Sequence, residues 1–260
     1  MTVQTNEVHR DRLDDFLRDA LDASGYPDYG PNGLQVEGKD VIRRVAFSVS
    51  ATRDSIEKAI EGRADALIVH HGLLWSFSGA RPLTGAFGRR VLPLIRSHLN
   101  LFAYHLPLDA HLVHGNAAGL AREIGMQHLA PFGDYKGRST GVRGELLVPL
   151  TAGELRQKIA NVVAHPVLMA SPDESALLKT LGIITGGANK DWAMAASSGL
   201  DAYLTGEMSE HDWHESQEAG IHMFAAGHHA TEVFGVQSLM NLLVEKFGLE
   251  CFYIDTENPA

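Results

Sequence analysis

The chain has 260 residues, of which 45% are hydrophobic, and a formal net charge of -10 with neutral histidines. It can therefore bury a core as one large domain or two small ones, and the acidic balance disfavours a general nucleic-acid-binding surface without excluding a pocket for a small anion. No apolar run approaches the roughly 18 residues of a membrane helix, the start MTVQTNEVHRDRLDD is unlike a secretory signal, and the single Cys251 excludes an internal disulfide or a cysteine metal cage. We expect a soluble cytoplasmic protein.

The first half of the chain alternates helix and strand patterns. Apolar residues from Leu13 to Leu21 recur at helical spacing, with Gly25 as a stop, and the turn-rich segment GYPDYGPNGLQVEG follows. Strands are predicted at VAFSVSA, DALIVHH and NLFAYH, and helices at RDSIEKAIEGR after a Thr52 cap, at GRRVLPLIRSHL and at GNAAGLAREIG. Pro93 is expected to kink the second of these helices or to limit it to its later part. This alternation predicts an α/β fold with a mixed, largely parallel sheet flanked by helices.

The second half begins with a loosened pattern, APFGDYKGRSTG, which we interpret as a connection between two lobes. Strands are then predicted at GELLVPL, PVLMA, LGIITGG, DAYLTGE, HMFAA and ECFYID, separated by helical patterns that include the long TEVFGVQSLMNLLVEKFG. The two halves resemble distant repeats, because DALIVHHG matches DAYLTGEM and NLFAYHLPLD matches HMFAAGHHATE with a one-residue gap. A chance match of two short β-α-β units is the alternative.

Polar side chains follow several predicted strands, where open α/β sheets carry their sites. The chain has 14 histidines, and imidazoles or carboxylates follow the strands at His70, His71, His105, Asp109, Glu207, His228, His229 and Glu232. A lone histidine at a strand end is more often a loop or capping residue, but several strand ends with such groups favour a metal site. Imidazole and carboxylate without thiolate suit zinc, manganese, iron, cobalt or nickel.

The number of candidate ligands indicates more than one ion. Five or so exceed what a single catalytic ion takes from the protein, because such a site keeps an open position. Two ions about 3.5–4 Å apart would use them all. Glu232 can bridge such a pair, and a purely structural capping glutamate is the competing interpretation of that residue.

Five motifs occur in order over most of the chain: NGLQVEG, VHHGLLW, YHLPLDAHLVHGN, TGEMSEH and AAGHHATE. Together they resemble the NIF-three-like dinuclear-metal proteins, the GTP cyclohydrolase 1 type 2 homologues, in the short form without an inserted domain. The resemblance implies two α/β lobes, a toroidal homohexamer and two divalent transition-metal ions per subunit. It implies the metal ligands His70, His71, Asp109, His228 and Glu232, with His105 close by.

A shared metal site requires the two ends of the chain to meet. We therefore expect a discontinuous lobe one, residues 1–127 plus 230–260, carrying most of the ligands, and a lobe two of residues 128–229.

Two further sequence features are weaker indications of a ligand-binding site. The turn TGGAN, from Thr185 to Asn189, precedes a helix as an anion-binding turn does, but it has no phosphate-loop lysine and is interpreted as a tight turn. Trp75, Phe77, Trp192 and Trp213 could stack on a heterocycle, although core packing or an oligomer contact is the more common use of such residues.

The first functional hypothesis is a metal-dependent hydrolase acting on nucleotides or related heterocyclic or phosphate compounds, in which His105 or Glu207 transfers a proton. The second is a non-catalytic hexameric metal-binding scaffold or regulatory partner-binding protein. A toroid that threads DNA is disfavoured by the net charge of -10.

Overall fold

The computed structural model describes residues 6–260, so the first five residues of the polar start lie outside it. The chain divides into two compact units. Unit 1 consists of the described residues up to Leu108 together with Val236–Glu257, and unit 2 consists of Asp109–Gly235 with Asn258–Ala260. These ends differ from the lobe boundaries expected after residues 127 and 229, and the division into those lobes stays a prediction.

Unit 1 contains a five-stranded sheet with flanking helices. Its elements are β1 Val8–His9, α1 Arg10–Ala20, β2 Gly33–Val36, β3 Val41–Ile42, β4 Arg44–Ser50, α2 Arg53–Glu61, β5 Ala66–His71, α3 Gly85–Arg96, β6 Asn100–Ala103 and β13 Glu250–Tyr253, with a short 3-10 helix at Ser76–Ser78. The sheet order is β13-β4-β5-β6-β2. The pairs from β13 to β6 are parallel, and β2 is antiparallel to β6.

Unit 2 contains a six-stranded mixed sheet. Its elements are α5 Asn116–Glu123, β7 Met126–Phe132, β8 Gly141–Thr151, α6 Ala152–Val163, β9 Leu168–Ala170, β10 Leu177–Ile183, α7 Trp192–Ser197, β11 Ala202–Thr205, α8 Glu210–Glu218, β12 His222–Ala225 and α9 His228–Thr231, with a short 3-10 helix at Asn189–Asp191. The order is β7-β8-β10-β11-β12-β9, in which β10-β11 and β11-β12 are parallel. The helices α4 Leu106–Ala110 and α10 Val233–Phe247 span the unit boundaries.

Each unit forms its own hydrophobic core beside its parallel strands. In unit 1 the fully buried Ile56 of α2 and Leu94 of α3 pack with Leu67 of β5. In unit 2 Leu155 of α6 packs with Leu204 of β11. The predicted α/β class, with sheets flanked by helices, is therefore confirmed.

Two local features of the structure differ from what the sequence indicated. The helix α3 begins at Gly85 and runs through Pro93 to Arg96, so the proline does not limit it to its later part. Proline removes one backbone hydrogen bond, and the buried face formed by Phe87, Val91 and Leu94 retains the helix. In the segment APFGDYKGRSTG, residues 133–140 connect the antiparallel strands β7 and β8 inside unit 2. Its glycines make a tight turn, which has the same composition as a connection between domains.

The repeat indicated by the sequence corresponds to a shared topology. Both units place three consecutive parallel strands, β4-β5-β6 and β10-β11-β12, beside an antiparallel edge strand that precedes them in the chain. Asp65 precedes β5 and accepts hydrogen bonds from the backbone N–H groups of Arg43 and Arg44. Asp201 precedes β11 and accepts the same kind of bonds from Lys179 and Thr180.

Asp65 therefore holds the start of β4, and we expect Asp65→Asn to destabilise unit 1. Partial burial raises the pKa of Asp65, but hydrogen bonds from Lys39 and from the two backbone N–H groups outweigh it and hold the pKa below its usual value. An amide matches these donors poorly, so the free energy of unfolding at neutral pH should fall by about 1–2 kcal/mol.

Urea unfolding across pH measures this effect. Because the folded pKa of Asp65 is lowered, its stabilisation is present above the unfolded pKa of about 4 and is lost as the pH falls below that value. The difference in the free energy of unfolding between wild type and Asp65→Asn should therefore decrease as the pH falls below about 4. The exposed α1 variant Asp15→Asn is the control, and an equal loss in both variants would contradict this role.

None of the helices within residues 6–260 has the length and apolar character needed to cross a membrane.

Candidate metal centre

Three imidazoles meet at the carboxyl edge of the unit 1 sheet, and we call His70, His71 and His105 the histidine cluster. One ring nitrogen of each lies within 4.8 Å of the others. The ring centroids of His70 and His71 are 4.5 Å apart, and that of His105 is 5.1 Å from His70. His70 is fully buried, so an imidazole is held away from bulk water beside two others.

Hydrogen bonds fix the orientation of all three rings. Nδ1 of His70 lies 3.0 Å from the backbone oxygen of Tyr104, and Nδ1 of His71 lies 3.0 Å from Oγ of Ser50. Nδ1 of His105 lies 2.7 Å from Oδ1 of Asp28. Because a carbonyl or carboxylate oxygen accepts the Nδ1 proton, His70 and His105 present the Nε2 lone pair as a ligand atom.

The end of β5 explains how adjacent histidines share one site. The pairing of β5 with β6 stops at Val69, whereas pairing with β4 continues to His71, which lies opposite Ser50. His70 therefore turns toward the segment after β6, and His71 toward the end of β4. Two adjacent strand residues would point to opposite faces in an intact sheet, but here their ring centroids are only 4.5 Å apart.

Unit 2 holds a second group, which we call the carboxylate cluster: Asp109, His228 and Glu232. Nε2 of His228 lies 3.3 Å from Oε1 of Glu232, and a carboxylate oxygen of Asp109 lies within 4.8 Å of one of Glu232. Asp109 is 4% exposed and Glu232 is 2% exposed. Two buried carboxylates at this separation repel each other, and a cation relieves that repulsion.

The TGGAN segment is the tight turn that the sequence indicates. Its residues also contact the side chains of the carboxylate cluster. Thr185 donates its hydroxyl proton to Oδ1 of Asp109, which also accepts a hydrogen bond from Asn116. Gly186 has a φ of +68°, and a Cβ there would lie 2.2 Å from Oε1 of Glu232. The glycine therefore leaves the space that the glutamate occupies.

We expect Gly186→Ala to weaken metal binding. The added methyl group must displace Glu232, and displaced supporting groups typically cost 10–100-fold in metal affinity. Gly199→Ala is the matched control, because Gly199 has a φ of +70° and nothing within 4 Å of its Cβ position. Chelator competition measures the affinity of both variants. Equal affinities would contradict the assignment of Glu232 as a ligand.

Glu207 contacts His228 directly. Its Oε1 lies 2.6 Å from Nδ1 of His228. Burial lowers the pKa of His228, but the hydrogen bonds and negative charges of Glu232 and Glu207 outweigh it and raise the pKa to about 9. Glu207 thus orients an expected ligand, whereas the sequence suggested it as an alternative residue for proton transfer.

Asp28 was missed by the sequence analysis. Its side-chain oxygens accept hydrogen bonds from His105, from Asn32 and from the backbone N–H groups of Tyr29 and Leu106. Burial raises the pKa of Asp28, but the hydrogen bond and charge of His105 outweigh it and keep that pKa low. The only sequence signal was its place in the turn-rich segment before β2.

Other candidates lie outside the two clusters. Among the described residues no group of possible metal ligands includes His229, whose backbone N–H donates to the oxygen of Ala260. His211 is half exposed on α8 and contacts Asp212. Trp192 donates its indole N–H to Asp212, which gives it a structural role in unit 2.

The donor sets fit metal ions that prefer nitrogen and oxygen ligands. The histidine cluster offers imidazole nitrogens, and the carboxylate cluster offers carboxylate oxygens with one imidazole. This chemistry suits zinc, manganese, iron, cobalt or nickel. The structure thus provides side-chain groups that could hold a metal ion, and metal binding by the named residues stays a prediction.

Comparisons with known proteins show the family to which the chain belongs. The family model for Duf34/NIF3 (NGG1p interacting factor 3) matches residues 8–259. A relative from Vibrio cholerae serotype O1, named GTP cyclohydrolase 1 type 2 homolog, is 42% identical over 252 residues, 96% of this chain and 98% of its own. A relative of the same name from Pyrococcus abyssi is 38% identical over 96% of this chain and 98% of its own.

Solved structures give the same result. The structure of protein ybgI, described as of unknown function, has a TM-score of 0.90 and 34% identity, covering 97% of this chain and 100% of its own. A protein from Thermus thermophilus has a TM-score of 0.88 and 32% identity, covering 97% and 100%. The resemblance drawn from the motifs is confirmed, and the chain belongs to the Duf34/NIF3 (NGG1p interacting factor 3) family.

Proposed function

We propose that the chain is a metal-dependent hydrolase and that His70, His71, Asp109, His228 and Glu232 bind two divalent transition-metal ions. The observation that carries the proposal is the histidine cluster, in which the ring nitrogens lie within 4.8 Å of one another. The expected ligands in unit 2 support it, because Glu232 is buried against His228.

The available ligands define the class of metal. The single cysteine, Cys251, belongs to neither cluster, and burial raises the pKa of its thiol to about 12. A thiol must lose its proton to bind a metal, so the proposed ions are those that accept imidazole and carboxylate: zinc, manganese, iron, cobalt or nickel.

His105 is proposed to transfer the proton in hydrolysis. Divalent ions, when bound, supply Lewis acidity that makes water a competent nucleophile near neutral pH. With Nδ1 of His105 held by Asp28 at 2.7 Å, its Nε2 is the atom that accepts the proton of the attacking water. Asp28 fixes the tautomer and the direction of the ring, and Glu207 fixes His228 in the same way at 2.6 Å.

Nucleotides or related heterocyclic or phosphate compounds are the proposed substrates. Support comes from the relatives named GTP cyclohydrolase 1 type 2 homolog, of which that from Vibrio cholerae serotype O1 is 42% identical. In a cyclohydrolase reaction, water opens a purine ring; in a phosphoesterase reaction, water cleaves a phosphate ester. Both reactions require an activated water and a group that takes its proton.

A screen of the purified full chain tests the proposal. The chain is stripped with a chelator, reloaded with each of the five metals, and assayed against nucleotides and phosphoesters. We expect turnover that depends on added metal and is lost on chelation. Tight metal binding without turnover of any compound would overturn the hydrolase proposal and favour a non-catalytic metal-binding or partner-binding protein.

We also propose that the chain forms a homohexamer, which rests on the family resemblance. The mass of the purified chain in solution tests this. A species of six times 28.2 kDa is expected, and a monomer would contradict the proposal.

A further inference from the structure

A cavity of about 420 Å³ lies in unit 1 beside the histidine cluster. Its volume is within the roughly 300–1,000 Å³ of small-molecule sites. The segments 28–31 and 73–76 form its walls, and Gly79, Arg81 and Phe87 complete the lining. Trp75 connects it to the histidine cluster, because its ring meets that of His105 edge to face at 5.0 Å. We call it the aromatic cavity.

Two backbone contacts hold the walls of the aromatic cavity together, and the side chain of Gln35, outside the lining, supports one wall. The N–H of Ser76 donates to the oxygen of Tyr29 at 2.7 Å. Gly30 lies so close to the other wall that a Cβ would be 2.3 Å from the backbone oxygen of Leu74. Gln35 accepts a hydrogen bond from the N–H of Leu73. The cavity is therefore preformed, which lowers the entropic cost of binding a ligand.

The rings of Tyr29 and Trp75 line this cavity, and Phe77, outside the lining, continues the stack from Trp75 toward the solvent. Trp75 and Phe77 stack with centroids 5.7 Å apart and ring planes at 15°, and the Phe77 side chain is 74% exposed. The Tyr29 ring lies 6.0 Å from His105 and is also exposed. Partly exposed aromatic faces are surfaces on which planar heterocycles stack favourably.

Among the described residues that line the aromatic cavity, Arg81 is the one cationic side chain. The sequence from Ala66 to Leu108 contains four arginines and neither aspartate nor glutamate. Arg81 lies over the Phe87 ring, with its guanidinium carbon 4.2 Å from the centroid. Asp28 is the only acidic group among the described lining residues, and both of its oxygens already accept hydrogen bonds from His105 and neighbouring groups.

We infer that the aromatic cavity binds a planar aromatic heterocycle that carries an anionic group. The ring lies against Trp75 and Tyr29, and the anionic group pairs with Arg81. This inference rests on the proposed function, because it assigns a substrate class to the hydrolase and places part of the substrate next to His105. Neither Trp75 nor Arg81 is an expected metal ligand, so the cavity can be tested in metal-free protein.

Calorimetric titration of the chelator-treated full chain in phosphate-free buffer tests the inference. The probes are guanosine monophosphate, which has ring and anion, guanosine, which has the ring, and ribose phosphate, which has the anion. We expect guanosine monophosphate to bind at least about tenfold more tightly than either partial probe, since a charge-assisted hydrogen bond and ring stacking each contribute an effect of that order.

Variants show which side chain binds the ring of the probe and which binds its anionic group. Arg81→Gln should remove the advantage of guanosine monophosphate over guanosine, whereas Arg89→Gln, an exposed arginine on α3 outside the aromatic cavity, should retain it. Trp75→Leu should weaken both ring-containing probes about tenfold, and Trp75→Phe should restore most of that loss. Trp213→Leu, on α8 of unit 2, is the control for loss of an exposed tryptophan.

The outcomes separate this inference from the proposed function. Equal binding of ribose phosphate and guanosine monophosphate, or equal effects of Arg81→Gln and Arg89→Gln, would overturn the aromatic cavity as the binding site. The expected binding pattern without hydrolysis of any compound would retain the site and overturn the hydrolase. Metal-dependent turnover with no probe bound at this cavity would overturn the site and retain the hydrolase.

Discussion

Replacing Glu232 with glutamine is expected to remove at least one of about two bound metal ions per chain. Glu232 is 2% exposed, and its Oε1 lies 3.3 Å from Nε2 of His228. Glutamine retains the volume of the side chain but loses the charge that attracts a cation. The close approach of Gly186 restricts the space into which the glutamine side chain could turn.

Elemental analysis of the purified variant, with the free energy of unfolding measured in parallel, gives the result. The fold should survive, because the substitution preserves volume and Glu232 is not itself a member of either hydrophobic core. Glu210→Gln, on the exposed side of α8, is the control and should retain the wild-type metal content. An unchanged metal content in Glu232→Gln would exclude Glu232 from the ligand set.

Replacing His105 with glutamine is expected to lower kcat/KM by about a hundredfold to ten-thousandfold, which is the usual contribution of a general acid or base. The reaction to be measured is the one identified by the metal-dependent screen. Metal content should stay unchanged, because His105 is proposed to transfer a proton and the two ions are assigned to other residues. His214→Gln, an exposed histidine of α8, is the control.

The variant Asp28→Asn distinguishes the orientation of the His105 ring from proton transfer by His105. It retains the His105 ring but replaces the carboxylate that accepts its Nδ1 proton, so we expect a smaller loss of kcat, about 10–100-fold. Loss of metal together with activity in His105→Gln would make His105 a ligand and contradict the proton-transfer role.

The fold class and the two clusters could be predicted from the sequence, because apolar runs of the parallel strands are followed by histidines and carboxylates. The apolar run of β5 ends in His70 and His71, and the strand β12 is followed by His228 and Glu232. Buried parallel strands have near-continuous apolar sequences, so their ends are visible without a structure. The repeat is visible in the sequence for the same reason. Asp65 directly precedes the strand β5 in DALIVHH, and Asp201 directly precedes the strand β11 in DAYLTGE.

The supporting residues could not be predicted, because they meet the clusters across long stretches of chain. Asp28 is 77 residues from His105, and Thr185 is 76 residues from Asp109. Asp28 lies in a turn-rich segment whose composition predicts only a turn, and Thr185 lies where the predicted strand LGIITGG meets the turn TGGAN. Their roles depend on tertiary contacts that no local pattern encodes.

Pro93 shows a different limit of sequence reasoning. A proline within a helix pattern predicts a break, yet α3 continues through it for three further residues to Arg96. The apolar face of α3 packs into the core of unit 1 through Phe87, Val91 and Leu94. Burial of that face outweighs the single hydrogen bond that the proline removes, as tertiary packing often outweighs local propensity.

Anomalous diffraction from crystals of the metal-loaded chain tests the central claim most directly. We expect two metal peaks per chain, one of them bonded to Nε2 of His70 or His71 at about 2.0–2.2 Å, with Glu232 in contact with at least one ion. The hydrogen bond from Nδ1 of His70 to the oxygen of Tyr104 should persist. Absence of any peak at the histidine cluster, or peaks confined to exposed histidines such as His211 and His214, would contradict it.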